Sequence, residues 1–317
     1  MQKIRASLSR LFSKQPTDSE SLRIKQLELL QQKHQGKPFV FDEGNLRFMY
    51  FNQKSVQSAM KINDPDQLLC GYTSAMMGFL LANPAPEHIL MIGLGGGSLV
   101  KFCYRYLPRC RITVLEIDAD VIALRDQFMI PPDDARLQII HTDAIAYVEQ
   151  NSLQVDVVLL DGFDMEGLVE TLNTASFYAA CHTALKAEGI LVTNMWGKRK
   201  MLVSLLTELR SQFSQRVWWC RSLDSYNLLA FSFKGENKIF TSSMSATARA
   251  LDQTLALQLE ELSEQMRTLQ LPAPTTANAR DEYEVKELIR LTSEVAELMI
   301  TDEKLPGSDV EWSDLHQ

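Results

Sequence analysis

Apolar positions along this chain follow two different rhythms. From His88 onward, short and nearly continuous apolar runs alternate with longer amphipathic stretches. The runs HILMIG, RITVLEI, LQIIHT, VDVVLLDG and GILVTNM read as strands, and the stretches SLVKFCYRYL, ADVIALRDQF, AIAYVEQ and TASFYAACHTALKAE between them read as helices. Strands that lack polar alternation are those covered on both faces, as in a parallel sheet flanked by helices. A further helix, KMLVSLLTELRSQF, leads to two more runs, RVWWCRSL and YNLLAFSF, joined at Asp224-Ser225. So short a connection predicts an antiparallel hairpin closing one sheet edge. The whole pattern is that of an α/β domain built on a doubly wound sheet.

The flanks obey other rules. Residues 1–37 are polar and helical in spacing up to the stop signal Gly36-Lys37-Pro38. Their start, MQKIRASLSRLFSKQ, is basic and amphipathic and lacks the apolar stretch of a secretory signal, so a surface or partner-binding helix is expected. In residues 38–65 apolar positions alternate on both sides of Glu43-Gly44-Asn45, which predicts a hairpin and one further strand ending at Asn63-Asp64-Pro65. A helix of about four turns is expected from Asp66, turning Leu68, Leu69, Tyr72, Met76, Met77, Phe79 and Leu80 to the core. Residues 66–236 then form the main domain. Residues 237–317 are expected to be a helical extension, interrupted by LPAPTTANA and ending in an acidic tail.

Composition narrows the choice of partners. A formal net charge of -8 over 317 residues argues against a nucleic-acid partner, because phosphate binding needs a basic field. An acidic chain suits cationic small molecules. The five cysteines are scattered without a C-x-x-C pair, and the five histidines are equally dispersed, so neither a disulfide framework nor a metal site is expected. No apolar run approaches the roughly 20 residues that span a bilayer, and a cytoplasmic protein is expected.

The candidate chemistry gathers where strands end. The first run of the main domain leads into Gly93-Leu94-Gly95-Gly96-Gly97-Ser98 and then a helix, a place where backbone can approach a ligand that side chains would obstruct. The second ends in Glu116-Ile117-Asp118. An acid here can accept hydrogen bonds from ribose hydroxyls, and Asp118 fits helix capping better, which leaves Glu116 for the ribose. Asp143 and Ala144 follow the third run, where the aspartate can cap the next helix and meet an adenine amino group. The fourth ends in Asp161-Gly162-Phe163-Asp164, two carboxylates that can hold a proton acceptor ready for an amine or bind a cation. Asn194 and Trp196 end the fifth run, with substrate contact and packing both open.

From about Phe39 to Phe233 these features resemble the spermidine synthase (polyamine aminopropyltransferase) family. The resemblance rests on the Gly93–Gly97 turn, LEIDADVI with Glu116, Asp143, the D-x-x-D of Asp161 and Asp164, the strand carrying Gln57, and Tyr72. It implies a Rossmann-like, class I S-adenosylmethionine-dependent methyltransferase-type doubly wound sheet with a short N-terminal β-region and helical terminal extensions. It also implies decarboxylated S-adenosylmethionine as donor, a small cationic amine such as putrescine as acceptor, no metal, and a homo-oligomer. By the same resemblance Asp161 deprotonates or orients the amine, and Tyr72 and Asp164 hold it. Gly93, Gly95, Gly96, Gly97, Glu116, Ile117, Asp143 and Ala144 cradle the nucleoside, and Gln57 lies near the donor's methionine-derived end. Three departures stand out. Gly96 occupies the position of the family's aspartate, Thr73-Ser74 replace two polar amine-pocket residues, and Met165 replaces a proline. Intact S-adenosylmethionine with methyl transfer, or nucleoside binding without catalysis, are therefore alternatives at this level.

Overall fold

The computed structural model describes residues 18–268, apart from 53–54, 165–166, 169, 197–198, 215, 226 and 237–243. The chain divides into two compact units, one holding the N-terminal residues up to Ala59 and one running from Met60 to Pro274. The first holds helix α1 (Asp18–His34) and strands β1 (Phe39–Glu43) and β2 (Leu46–Asn52), with most of β3 (Ser55–Lys61). β1 and β2 pair antiparallel around Gly44, whose φ of 57° supplies the left-handed residue the tight turn needs. The predicted hairpin and third strand are therefore present, in sheet order β1-β2-β3.

The second unit begins with helix α2 (Gly71–Met76), which tightens into a 3-10 turn over Met77–Leu81. This is shorter than the helix expected from Asp66. Cys70 is its N-cap in extended conformation, and the Asp224 carboxylate accepts a hydrogen bond from the Gly71 amide at 2.8 Å. A tertiary partner for the first free amide thus sets the helix start, which local spacing does not encode.

Strand and helix then alternate as β4 (His88–Ile92), α3 (Ser98–Tyr106), β5 (Arg111–Glu116), α4 (Ala119–Ile122), β6 (Leu137–His141), α5 (Ala144–Gln150) and β7 (Val155–Leu160). A two-stranded ribbon follows, β8 (Phe163–Asp164) and β9 (Gly167–Leu168). The unit continues with α6 (Ala175–Ala184), β10 (Leu185–Met195), α7 (Arg199–Gln212), β11 (Val217–Arg221), β12 (Leu228–Phe233), α8 (Met244–Leu255), α9 (Leu259–Gln265) and β13 (Arg267–Thr268). Two expected helices are cut short. The stretch after Ala119 is helical only to Ile122, and the one ending in LKAE gives Leu185–Glu188 to β10, where Leu185 pairs with Val155.

The sheet order is β13-β11-β12-β10-β7-β4-β5-β6. β4, β5, β6, β7 and β10 are parallel, and β12 enters antiparallel beside β10. The predicted hairpin of β11 and β12 is formed, but it does not close the edge. β13, from the region expected to be only helical, pairs antiparallel with β11 at Trp218 and Trp219. β4 and β12 are buried along their whole lengths and β7 at every position but Asp156, as strands covered on both faces must be. No helix among the described residues is long and apolar enough to cross a membrane.

The strand starts are held by a polar cluster. Asp156 accepts from the amides of Glu87 (2.9 Å) and His88 (2.8 Å) and pairs with Lys186 at 3.0 Å. Beside it, His88 accepts from Arg111 on Nδ1 and shares Nε2 with Thr113, and burial holds the imidazole down at about 4, so the ring is neutral. This edge is opposite the strand ends where the candidate chemistry lies. Asp156→Ala leaves two amides without their acceptor. The expected result is a loss of about 2 kcal/mol in urea unfolding with an unchanged m-value, and no change in ligand affinity at the far edge.

Candidate active site

β4 and β7 are neighbours, but the chain leaves β4 for β5 and β6 on one side and leaves β7 for β10 on the other. This is the switch point of a doubly wound sheet, where the loops diverge and open a crevice. Gly93 and Asp161 follow these two strands and are in van der Waals contact. The Asp161 amide donates to the Ile92 carbonyl at 2.9 Å, and a Cβ on Gly93 would lie 2.3 Å from the Asp161 carbonyl oxygen. Gly93 also has a φ of 96°. Glycine is required twice over, by conformation and by space.

The turn continues through Gly95 and Gly97, also left-handed, and Gly97 is the N-cap of α3. A Cβ there would meet Ile130 Cδ1 at 2.5 Å. The Ile130 loop is fixed in turn by Lys101, 1% exposed, whose ammonium donates to the Phe128 carbonyl at 2.8 Å. Burial brings that lysine down to about 8. Leu94 sends its amide to Glu116 Oε2 at 2.8 Å, and Asp118 sends its own to Oε1 at 2.9 Å. Glu116 is thereby locked to the glycine turn. Each of its oxygens keeps a further lone pair. Asp118 is the helix cap, accepting from Asp120. Ile117 is 69% exposed beside this carboxylate. Asp143 caps α5 with both bonds on Oδ1, from Ile145 and Ala146, and Ala144 is the first, buried residue of that helix.

At the β7 end the polar groups converge on Asp161. Tyr72, on α2, hydrogen-bonds its carboxylate, and Asn194 Nδ2 donates to Oδ1 at 2.8 Å. Asp161 is crowded by protein on most sides and only part-exposed. Burial pushes its carboxyl up to about 6, opposed by the bonds from Asn194 and Tyr72. Tyr72 and Cys70 lie well above their ordinary values, first through burial and then through the nearby negative charge of Asp161 and Asp224.

Asp164 lies in β8, and its side chain is outside the described residues, as is Met165. Gln57 lies on β3 in the first unit. Asn194 had two open readings from sequence, and its bond to Asp161 gives it a third use. Asn227, Ser225 and Asp224 gave no sequence signal beyond a polar turn between apolar strands. They meet α2 and β10 only through the tertiary fold.

A family model described as the spermine/spermidine synthase domain matches residues 69–239, more than half of the chain. The chain belongs to this family. It is 36% identical over 196 residues to the polyamine aminopropyltransferase of Chromobacterium violaceum, which covers 62% of this chain and 75% of that protein. It is also 36% identical over 201 residues to the polyamine aminopropyltransferase of Neisseria meningitidis serogroup A, covering 63% and 76%. Among solved structures, the spermidine synthase of Thermotoga maritima superposes with a TM-score of 0.57 at 19% identity, covering 80% of this chain and 87% of that one. Human methyltransferase-like protein 13 in complex with SAH superposes at 0.50 and 20%, covering 66% and 94%. At these identities the structures establish the fold, a Rossmann-like methyltransferase sheet.

The family's departures now have places. Thr73 is 2% exposed and gives its hydroxyl to the Cys70 carbonyl at 2.6 Å, so it closes its own helical turn. Gly96 sits inside the glycine turn with no side chain to meet a ligand.

An Asp161 raised to about 6 from its ordinary 3.8 has a consequence for stability. Between those values the folded chain holds a proton that the unfolded chain has lost. Stability therefore falls as the pH rises from about 4 to about 6 and stays lower above that. Asp161→Asn removes the penalty. We expect the variant to be more stable than the natural chain at pH 7.5, on the order of 1–2 kcal/mol after allowing for solvent contact, with the gain vanishing near pH 4. Thermal unfolding at the two pH values checks this.

Proposed function

We propose that this protein transfers an aminopropyl group from decarboxylated S-adenosylmethionine to a small amine of the putrescine type. The observation that carries the proposal is the Tyr72–Asp161 pair, a carboxylate with raised proton affinity set at the sheet's switch point beside the glycine turn. The family membership and the names of its polyamine aminopropyltransferase relatives support the same reaction class.

The residues fit a nucleoside donor. Glu116 faces its two lone pairs away from the amides that fix it, which suits two adjacent ribose hydroxyls. Asp143 Oδ2 is left over from capping for an exocyclic amine, and the exposed Ile117 offers an apolar surface for a base. A sulfonium donor supplies a carbon already joined to a good leaving group, so no metal need activate it.

The rest is work for the protein's own groups. An alkylammonium has no lone pair to attack with, and Asp161 takes one of its protons. The neutral amine then forms the new C–N bond as the C–S bond breaks, the electron pair leaving on sulfur as a thioether. A carboxylate near 6 accepts that proton better than one at 3.8, yet is mostly ionised at neutral pH. Tyr72, kept in its phenol form by burial, donates to Asp161 and holds it in one orientation. Proximity does much of the remainder.

The test is mass spectrometry of reactions containing the purified chain, the decarboxylated donor and a panel of diamines. The expected products are methylthioadenosine and an aminopropylated amine. Formation of S-adenosylhomocysteine and a methylated product from the intact donor, with nothing from the decarboxylated one, would overturn the assignment. Asp161→Asn should lower kcat by about 10²–10⁴-fold.

Gly96 generates a second prediction. An acid at that position attracts the donor's ammonium and repels the carboxylate of intact S-adenosylmethionine. In calorimetric titrations Gly96→Asp should tighten binding of the decarboxylated donor and weaken that of the intact one, each by about tenfold. Equal change for both ligands would separate this position from donor choice.

A further inference from the structure

Four polar side chains form a single line into the site. The Ser225 hydroxyl meets Asn227 Oδ1 at 2.8 Å, Asn227 Nδ2 donates to Asn194 Oδ1 at 2.9 Å, and Asn194 Nδ2 donates to Asp161 Oδ1 at 2.8 Å. Asn194 is 2% exposed, so its amide has little access to water as an alternative partner. The direction of the line is fixed at its far end. An ionised carboxylate only accepts hydrogen bonds, so Asn194 must offer it an NH₂ group. Its carbonyl then faces Asn227, which must also present NH₂, and the Asn227 carbonyl is left for the serine hydroxyl.

The same turn has a second arm. Asp224 accepts from the Gly71 amide at 2.8 Å and from the Ser222 hydroxyl at 2.9 Å, and a Cβ on Gly71 would lie 2.2 Å from Asp224 Oδ1. Gly71 opens α2, and Tyr72 is the next residue. The turn itself is closed by the Ser222 amide on the Asn227 carbonyl at 2.9 Å. Ser222, Asp224, Ser225 and Asn227, all between β11 and β12, therefore reach both members of the Tyr72–Asp161 pair.

We propose that Asp224 and Asn227, between β11 and β12, are the aligning element of the site, setting the Asp161 carboxylate through Asn227 and Asn194 and the Tyr72 helix through Asp224. Asn194, Asn227 and Asp224 are positioning residues. The inference rests on the aminopropyl-transfer reading for its kinetic consequences, but its structural content stands apart from which reaction occurs. The Asn194 bond favours the ionised carboxylate, and an Asn194 amide released by loss of Asn227 can turn its own carbonyl toward Asp161. Loss of either asparagine therefore raises the proton affinity of Asp161. The titratable groups facing this carboxylate are Tyr72 and Cys70, both kept neutral by burial, with Asp224 adding negative charge near those two.

The experiment compares Asn194→Leu, Asn227→Leu, Asn227→Asp, Asp224→Asn and Asp224→Ala with the natural chain. The kinetic readout is the pH profile of kcat. A parallel readout is the titration of the Asp161 carboxyl carbon by NMR in protein labelled at aspartate Cγ, the signal being assigned by its loss in Asp161→Asn. In both leucine variants the acid limb and the carboxyl titration should move up together by about half a unit or more, which lowers kcat at pH 6 about twofold or more relative to pH 8.5. Asn227→Asp should move them further, since it adds a negative charge and competes for the Asn194 amide. Asp224→Asn keeps an acceptor for Gly71 and should retain kcat within about threefold, whereas Asp224→Ala should lower kcat without moving the acid limb.

Unmoved titrations in both leucine variants, or a shift in Asn227→Asp alone, would mean charge or fold integrity and not alignment, and would overturn the proposal. If one leucine variant does not fold, the other decides. Should the natural chain make no aminopropylated product with any amine, the functional reading fails, and the carboxyl titration still decides whether the turn controls Asp161.

Discussion

The site depends on one close approach. At the switch point between β4 and β7 the chain after β4 must pass against the backbone of Asp161, and only a residue without Cβ fits there. That contact does two jobs. It places the glycine turn, which carries Leu94 and through it Glu116, and it sets the start of the loop that presents the Asp161 carboxylate. A side chain at Gly93 would have to displace either the turn or the end of β7, and with them both halves of the site.

Two carboxylates near this contact are treated oppositely. Glu116 accepts one backbone amide on each oxygen, from two different loops, an arrangement suited to receiving hydroxyl groups in the proposed reaction. Asp161 is half-buried beside a phenol and an amide, and its charge is costly enough to raise its proton affinity. The difference in environment, with the same functional group, separates a binding role from a proton-accepting one in the proposed reaction. The cost of burying Asp161 falls on the stability of the whole domain. At the opposite edge of the sheet, Asp156 ties the start of β4 to β10 through its amide and lysine partners.

Sequence alone reached a long way into this protein. The alternation of apolar runs gave the parallel sheet and its helices, because burial on both faces leaves an unambiguous pattern. Gly44 marked the hairpin, and Gly93 to Gly97 marked the tight turn after β4, because left-handed backbone and close approach select glycine. Asp118 and Asp143 were legible as caps, since capping is a local interaction between residues two or three apart. The ends of the apolar runs marked where Gly93, Glu116, Asp143 and Asp161 stand, at or just beyond the ends of β4, β5, β6 and β7.

What the tertiary structure decided were pairings between distant segments. Helix α2 begins at Gly71 and not at Asp66 because Asp224, 153 residues away, accepts its first amide. Leu185–Glu188 continue a strand and not a helix because Leu185 meets Val155 across the sheet. β13 arises from a polar, helical-looking region because it adds to β11 as a further antiparallel strand. Asn194, Asn227 and Asp161 lie on three separate strands or loops, and no spacing along the chain links them. Local sequence determines what each segment can form and which residues stand at its end, because propensity, capping and turn geometry act over a few residues. Which ends meet, and hence how a buried carboxylate is oriented, is fixed only when the sheet brings them within hydrogen-bonding distance.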